Sequence, residues 1–160
     1  MSDVLDFPEE KKLPTGLNVL TILTFIGCAY ELYQVVSSFF KGGDSIKEFD
    51  KATEQMKDAP AWAKNFAGPE MREVLQQSLD NKTPLLIIGL IAVGLCVFGA
   101  IEMRKLKKQG YFIWLIGEIL PVISAAIFVP AFFSTFLKFF LVIQIIFIIL
   151  YSVQRKYLIN

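Results

Sequence analysis

Polar side chains inside long apolar segments are the residues of this sequence whose types could support chemistry. Glu31, Glu118 and Gln144 each stand within a run of aliphatic and aromatic residues, and Lys138 lies near the start of the run that contains Gln144. Burying such groups in hydrocarbon is costly, so an ionisable residue in a membrane segment is a candidate functional site. We predict that Glu31, Glu118 and Gln144 form one polar seam between helices. Lys138 could pair with Glu31 or extend to the outer membrane surface.

A proline follows Glu118 by three residues within the same apolar segment. Pro121 has no N–H, so the carbonyl of Gly117 loses its helical hydrogen-bond partner and the helix is predicted to kink. On a structural interpretation, Glu118 is neutral and hydrogen-bonded within a kinked helix. On a functional interpretation, Glu118 forms a proton or cation site at a broken helix, as in transporters. The sequence leaves both interpretations open.

These polar residues must be positioned by four apolar segments, each about 20 residues long, the length a helix needs to cross the hydrocarbon core. The segments cover about 17–40, 84–103, 111–129 and 134–153. They lack the alternating pattern of a β-barrel, and a helix is the other structure that satisfies its backbone within lipid. The predicted fold is therefore an all-α integral membrane bundle of four helices in a single domain.

Residues 41–82 form a predicted helical connection on the outer side of the membrane. Gly42–Gly43 are predicted to end the first membrane helix. Apolar residues then recur at helical spacing within 44–56 and again within 69–79, which indicates two short amphipathic helices. They could cover the ends of the membrane helices, or form a surface for partner docking or substrate gating.

Basic residues predict the orientation of the chain. The connection between the second and third segments contains Arg104, Lys105, Lys107 and Lys108, and further basic pairs precede the first segment and follow the fourth. Cytoplasmic loops are enriched in Lys and Arg, so this connection is predicted to be cytoplasmic. With four crossings, both termini then lie in the cytoplasm.

Small residues in the second segment predict close helix packing. Gly89, Ala92, Cys96 and Gly99 recur at helical spacing and so share one stripe. In lipid, small side chains let two helix backbones approach closely, which stabilises association. We expect this stripe to contact another helix.

The residues needed for common catalytic sites are missing from the sequence. There is no histidine, and the only cysteines, Cys28 and Cys96, fall inside apolar segments. We find no phosphate-binding loop, no nucleophile elbow and no set of metal ligands. We therefore predict a protein that is not an enzyme, has no cofactor or metal, and does not bind nucleic acid.

One stretch resembles a known group of proteins. "GAIEMRKLKKQGYFIWLIGEILP", residues 99–121, is similar to a segment of small uncharacterised four-span bacterial inner-membrane proteins, and 17–27 extends the similarity. In those proteins a basic hinge precedes a helix with a polar residue before Leu-Pro. The resemblance implies a four-span protein of the bacterial cytoplasmic membrane and carries no activity.

Two functional hypotheses follow from these features. The first is a non-enzymatic multi-pass membrane protein that acts as an accessory subunit or scaffold of a membrane complex. The second is a small proton- or cation-coupled transporter or channel that acts as a homo-oligomer. Predicted partners are membrane lipid and either another membrane protein or further copies of this chain.

Overall fold

The structure, a computed structural model, is built from helices. It describes residues 13–56, 60, 68–135 and 137–159, without the side chains of 133–140. All regular secondary structure in these residues is helical, apart from one isolated backbone bridge between Lys107 and Ile159. The all-α prediction is confirmed for this part of the chain.

The first helix is much longer than predicted. Helix α1 covers Thr15–Gln55, 41 residues, or about 60 Å at the usual helical rise. The prediction that Gly42–Gly43 end this helix is wrong, because both glycines keep ordinary helical backbone angles and the helix continues through them. A glycine costs a helix interior only about 1 kcal/mol. A Cβ atom on Gly42 would lie 3.0 Å from Leu79, so this glycine admits a neighbouring helix.

That neighbouring helix, α2, covers Pro69–Asp80. It corresponds to the second amphipathic helix predicted in the connection, whereas the first is the far end of α1. Pro69 occupies the first helical turn, where its missing N–H costs nothing. Arg72 holds α2 against α1 through two hydrogen bonds to Asp50, 2.9 and 3.3 Å long. The remainder of the connection lies outside the described residues.

The rest of the chain forms four further helices and one helical turn. They are α3, Lys82–Arg104; α4, Lys108–Phe128; α5, Pro130–Thr135; α6, Leu137–Gln154; and a 3-10 turn, Arg155–Tyr157. Helices α1, α3 and α4 are long and apolar enough to cross a membrane. Their outward faces expose large apolar side chains, among them Ile26, Phe98 and Ile116, each more than half exposed. Lipid accepts such faces and water does not, which indicates a membrane protein.

Helices α3 and α4 are in backbone contact through glycines. A Cβ atom on Gly99 would lie 2.5 Å from the backbone nitrogen of Trp114, and one on Gly110 would lie 2.5 Å from that of Met103. A Cβ atom on Gly117 would lie 2.6 Å from the Cys96 sulfur. Real Cβ atoms do not approach other atoms so closely, so only glycine fits at these positions. The two helices therefore pack as closely as their backbones allow.

Aromatic side chains fasten α6 to this pair. Trp114 is fully buried, and its ring centroid lies 4.2 Å from that of Tyr151 on α6. The Tyr151 hydroxyl shares a 2.7 Å hydrogen bond with Thr24 on α1. The Tyr111 hydroxyl shares one of 2.8 Å with Ser152. These contacts make a dense core that involves α1, α4 and α6.

The α3–α4 loop closes one end of the bundle, which we call the loop end. Lys105 and Lys107 both pair with Glu102, at 2.6 and 2.7 Å. Arg104 instead donates to the Asn18 side chain at the start of α1. The backbone N–H of Ile159 donates to the Leu106 carbonyl. The beginning of α1, this loop and the C-terminal segment therefore meet at the loop end.

The opposite end, which we call the distal end, is formed by α2, α5 and the second half of α1. The Asn81 side chain donates to the Phe128 carbonyl at the end of α4, 3.0 Å away. The Gln77 side chain accepts from the Ala131 N–H of α5, also at 3.0 Å. These bonds satisfy backbone groups at the α4–α5 junction, and they fix α2 across the distal end.

We expect Gly99→Ala to destabilise the protein, because its methyl group would collide with the α4 backbone, which cannot rotate away. Overpacking of this kind costs about 1–3 kcal/mol. The measurement is the unfolding temperature of the purified protein in detergent. The matched control is Gly94→Ala on the same helix, where a Cβ atom meets nothing within 4 Å. Equal unfolding temperatures for the two variants would contradict the α3–α4 packing.

Candidate functional site

A cavity of about 560 Å³ lies between the helices in the distal half of the structure. We call it the distal cavity. Every helix from α1 to α6 contributes to its walls, which are mainly aliphatic and aromatic. Its polar lining residues are Tyr30, Glu31, Gln34, Ser38, Ser45, Ser78, Lys82, Ser124 and Gln144.

The distal cavity extends from the distal end to the middle of the helices. Along α1 its wall runs from Ser45 to Glu31, about 21 Å at the helical rise of 1.5 Å per residue. Along α3 it runs from Lys82 to Val93, about 16 Å. Since Val93 stands at the centre of α3, the floor of the cavity lies near the middle of a membrane that α3 crosses.

Small residues and α2 create the space. Gly89 of α3 admits the side chain of Val35, since a Cβ atom there would lie 2.8 Å from the Val35 methyl group. Val74 of α2 is buried and lines the mouth together with Ser78. Helix α2 thus spaces α1 from α5, and the distal half stays open while the loop half is filled by the aromatic core.

Glu31 occupies the floor of the distal cavity. Its neighbours along α1, Gln34 and Ser38, also line the wall. Gln34 donates to the Tyr30 hydroxyl, 3.0 Å away. Across the part of the chain that the structure describes, Glu31 takes part in no hydrogen bond or ion pair. Its carboxyl group is therefore available to a molecule in the cavity.

Glu118 and Gln144 meet through the backbone of α4. The Gln144 amide donates to the Glu118 carbonyl oxygen, 3.2 Å away, and Ser124 donates to the Pro121 carbonyl at 2.9 Å. Two backbone carbonyls at this proline, those of Glu118 and Pro121, therefore each accept a side-chain hydrogen bond. The Glu118 carboxyl group is partly buried and does not line the cavity.

The predicted seam is thus divided in the structure. Glu31 and Gln144 share the distal cavity, while Glu118 lies beside it, close enough that its carboxyl group and that of Glu31 would repel each other if both were ionised. Gly117 packs against Cys96 away from the cavity. The side chain of Lys138 lies outside the described residues, so its predicted pairing with Glu31 remains a prediction.

The predicted packing stripe also divides. Ala92, Cys96 and Gly99 are buried, and Cys96 and Gly99 face α4, whereas Gly89 faces α1. Gly89 and Ala92 line the distal cavity as well. Both cysteines are free and buried.

The basic residues of the α3–α4 loop lie at the loop end, remote from the cavity. Arg104, Lys105 and Lys107 bond to Asn18 or Glu102, while Lys108 begins α4 and is exposed. The bonds of Arg104, Lys105 and Lys107 stabilise the loop. The role of the four basic residues in topology remains a prediction.

Sequence reasoning missed the mouth of the cavity. The ammonium group of Lys82 lies 5.3 Å from the centre of the Phe39 ring, and both residues line the wall. Nothing in the sequence links these two positions. The amphipathic pattern of 69–79 was the available signal for a cover at this end, and it did not indicate a cavity beneath.

The arrangement suits binding. Among the residues that the structure covers, no three or more histidine, cysteine, aspartate or glutamate side chains gather as a metal site would require. The distal cavity presents a carboxyl group and an amide at its floor, apolar walls, and hydroxyl groups and an ammonium group toward its mouth. Such a site can hold a molecule that is mostly apolar and carries one polar or charged group.

No protein-family model, curated protein or solved structure matches this chain. The resemblance of 99–121 to small four-span bacterial membrane proteins therefore stays a prediction.

We expect a cysteine at position 38 to react with a membrane-impermeant thiol reagent, because Ser38 lines a cavity that opens at the distal end. The measurement is labelling of Ser38→Cys in intact membranes with the reagent on the distal side. The control is Val36→Cys, which stands at nearly the same depth but outside the cavity wall. The native cysteines are buried, so wild type supplies the blank. Labelling of position 36 as fast as position 38 would contradict the cavity.

Proposed function

We propose that this protein is a non-enzymatic multi-pass membrane protein that binds a small, mostly apolar molecule in the distal cavity. The cavity itself supports this proposal. Its volume of about 560 Å³ falls within the roughly 300–1,000 Å³ of small-molecule sites, and its lining is likewise apolar with a few placed polar groups. The position of the cavity between membrane helices favours a ligand that enters from lipid or from the membrane surface.

The proposed setting is the bacterial cytoplasmic membrane, crossed by α1, α3, α4 and α6 with both termini in the cytoplasm. Helix α6 has 18 residues, about 27 Å long, close to the hydrocarbon thickness of about 30 Å. The loop end supports an even number of crossings, because the start of α1 and the C-terminal segment meet there. It also carries the basic residues expected of a cytoplasmic face. The distal cavity then opens on the extracytoplasmic side.

A blocking substitution tests ligand binding directly. We expect Ala125→Phe to weaken binding of a neutral environment-sensitive fluorophore such as N-phenyl-1-naphthylamine, because its ring would occupy part of the cavity that Ala125 lines. The measurement is fluorescence titration of the purified protein in lipid nanodiscs. The control is Ala126→Phe, one residue along α4 on an exposed face outside the cavity. No saturable binding by wild type, or equal binding by both variants, would overturn the proposal.

A small proton- or cation-coupled transporter, acting as a homo-oligomer, is the second candidate. The observation that favours it is the closeness of two intramembrane acids, Glu31 in the cavity and Glu118 beside it. On this proposal Glu31→Gln and Glu118→Gln each abolish transport in proteoliposomes while expression is unchanged. Transport by both variants at the wild-type rate would dismiss the candidate.

A role as accessory subunit or scaffold remains a prediction about the same protein. The large exposed apolar faces of α1, α3 and α4 can contact lipid or another membrane protein equally well. Purification from the native membrane in mild detergent would decide between them, since a subunit co-purifies with another protein at fixed stoichiometry.

A further inference from the structure

We propose that the ligand of the distal cavity is a lipophilic cation, an organic cation whose charge is covered by apolar groups, and that the Glu31 carboxylate is its counter-charge. This inference rests on the proposed binding function and adds the charge and chemical class of the ligand. Three features of the cavity carry it: the position of Glu31, the character of the walls, and the aromatic rings among them.

Glu31 supplies the charge. It stands on the cavity floor, about 21 Å below Ser45 at the mouth, and none of the described side chains bonds to it. The Glu31 side chain is exposed and lines the cavity. An unpartnered carboxylate within a membrane is costly, and a nearby cation relieves that cost. Attraction between unit charges is also several-fold stronger in such surroundings than in water. An arriving cation therefore gains more here than at the membrane surface.

The walls select the kind of cation. Val35, Leu86, Val93 and Val122 present hydrocarbon around the path to Glu31. A hydrated metal ion would have to shed its water against a lining that is mainly hydrocarbon and offers few oxygen ligands, among them those of Ser38, Ser124 and Gln144. A lipophilic cation brings its own apolar cover, so it loses little hydration and gains apolar contact. The walls thus disfavour Na⁺ or Ca²⁺ and accept an organic cation.

Aromatic rings strengthen the preference for positive charge. Tyr30 lines the wall beside Glu31, and Phe39 and Phe132 line it nearer the mouth. The faces of such rings attract cations by about 0.5–2 kcal/mol. Phe39 already has the Lys82 ammonium group near its ring, which places one cation at the mouth. Lys82 is exposed. Phe39, whose ring it approaches, stands about 12 Å from Glu31 along α1.

Glu118 provides a matched control within the same protein. It is also a glutamate in an apolar helix, but its side chain does not line the cavity. Removal of the Glu118 carboxyl group therefore leaves the proposed counter-charge in the cavity.

The test uses two ions of the same shape and opposite charge, tetraphenylphosphonium and tetraphenylborate, with the full-length protein in nanodiscs. We expect wild type to bind tetraphenylphosphonium saturably, and Glu31→Gln to weaken this binding at least about tenfold, which corresponds to about 1.4 kcal/mol. Glu118→Gln should bind it about as tightly as wild type, because Glu118 does not line the cavity. Glu31→Gln should not weaken tetraphenylborate binding. Glu31→Asp, which keeps the charge, should restore much of the affinity for the cation.

The neutral fluorophore separates this inference from the binding function on which it rests. If wild type and Glu31→Gln bind the fluorophore equally and only the cation is lost, the inference holds and the variant is folded. If the fluorophore binds but tetraphenylphosphonium does not, or binds to Glu31→Gln unchanged, the inference is overturned and the binding function stands. If neither ligand binds wild type, both fail.

A second pair of variants tests where the cation binds without any change at Glu31. Ala125→Phe should weaken binding of tetraphenylphosphonium as well as of the fluorophore, and Ala126→Phe should keep both at wild-type affinity. Cation binding that is unchanged in Ala125→Phe while fluorophore binding is weakened would place the cation elsewhere and overturn the assignment.

Discussion

The close contact between α3 and α4 is the constraint on which the rest of the structure depends. Gly99, Gly110 and Gly117 bring the two backbones together where any side chain would collide. In lipid, where the hydrophobic effect does not drive helices together, contact over a whole helix face is a main source of association. Helices α1 and α6 pack against this pair. Trp114 of α4 stacks on Tyr151 of α6, whose hydroxyl bonds to Thr24 of α1.

The two halves of the structure differ because of what fills the space beside that pair. In the loop half, aromatic rings and the Glu102 ion pairs occupy this space. In the distal half, α1 continues past the ends of α3 and α4, and α2 lies between it and α5. The result is a cavity in the distal half, with Glu31 near its inner end and exposed.

Helix content could be predicted from the sequence more reliably than helix ends. Apolar segments of about 20 residues sufficed for α3 and α4, because the cost of unpaired backbone in lipid leaves little alternative. The predicted helix end at Gly42–Gly43 is wrong because glycine weakens a helix only slightly. The helix α2 that packs on Gly42 through Leu79 lies in another part of the chain, so the sequence around Gly42 did not indicate this contact. The short helix α5 was also missed, since Pro130 ends one helix and begins the next.

For the candidate site as well, the sequence indicated some features and the tertiary structure decided others. Residue type and position already indicated the membrane setting, the helices, and the polar residues that a membrane makes costly, Glu31, Glu118 and Gln144. Which of them share a space was decided by tertiary structure, which placed Glu31 and Gln144 in the cavity and left Glu118 out of its lining. Helical periodicity describes each helix by itself. The rotation of one helix against another is set by side-chain and backbone packing between segments distant in sequence, here by the glycines of α3 and α4.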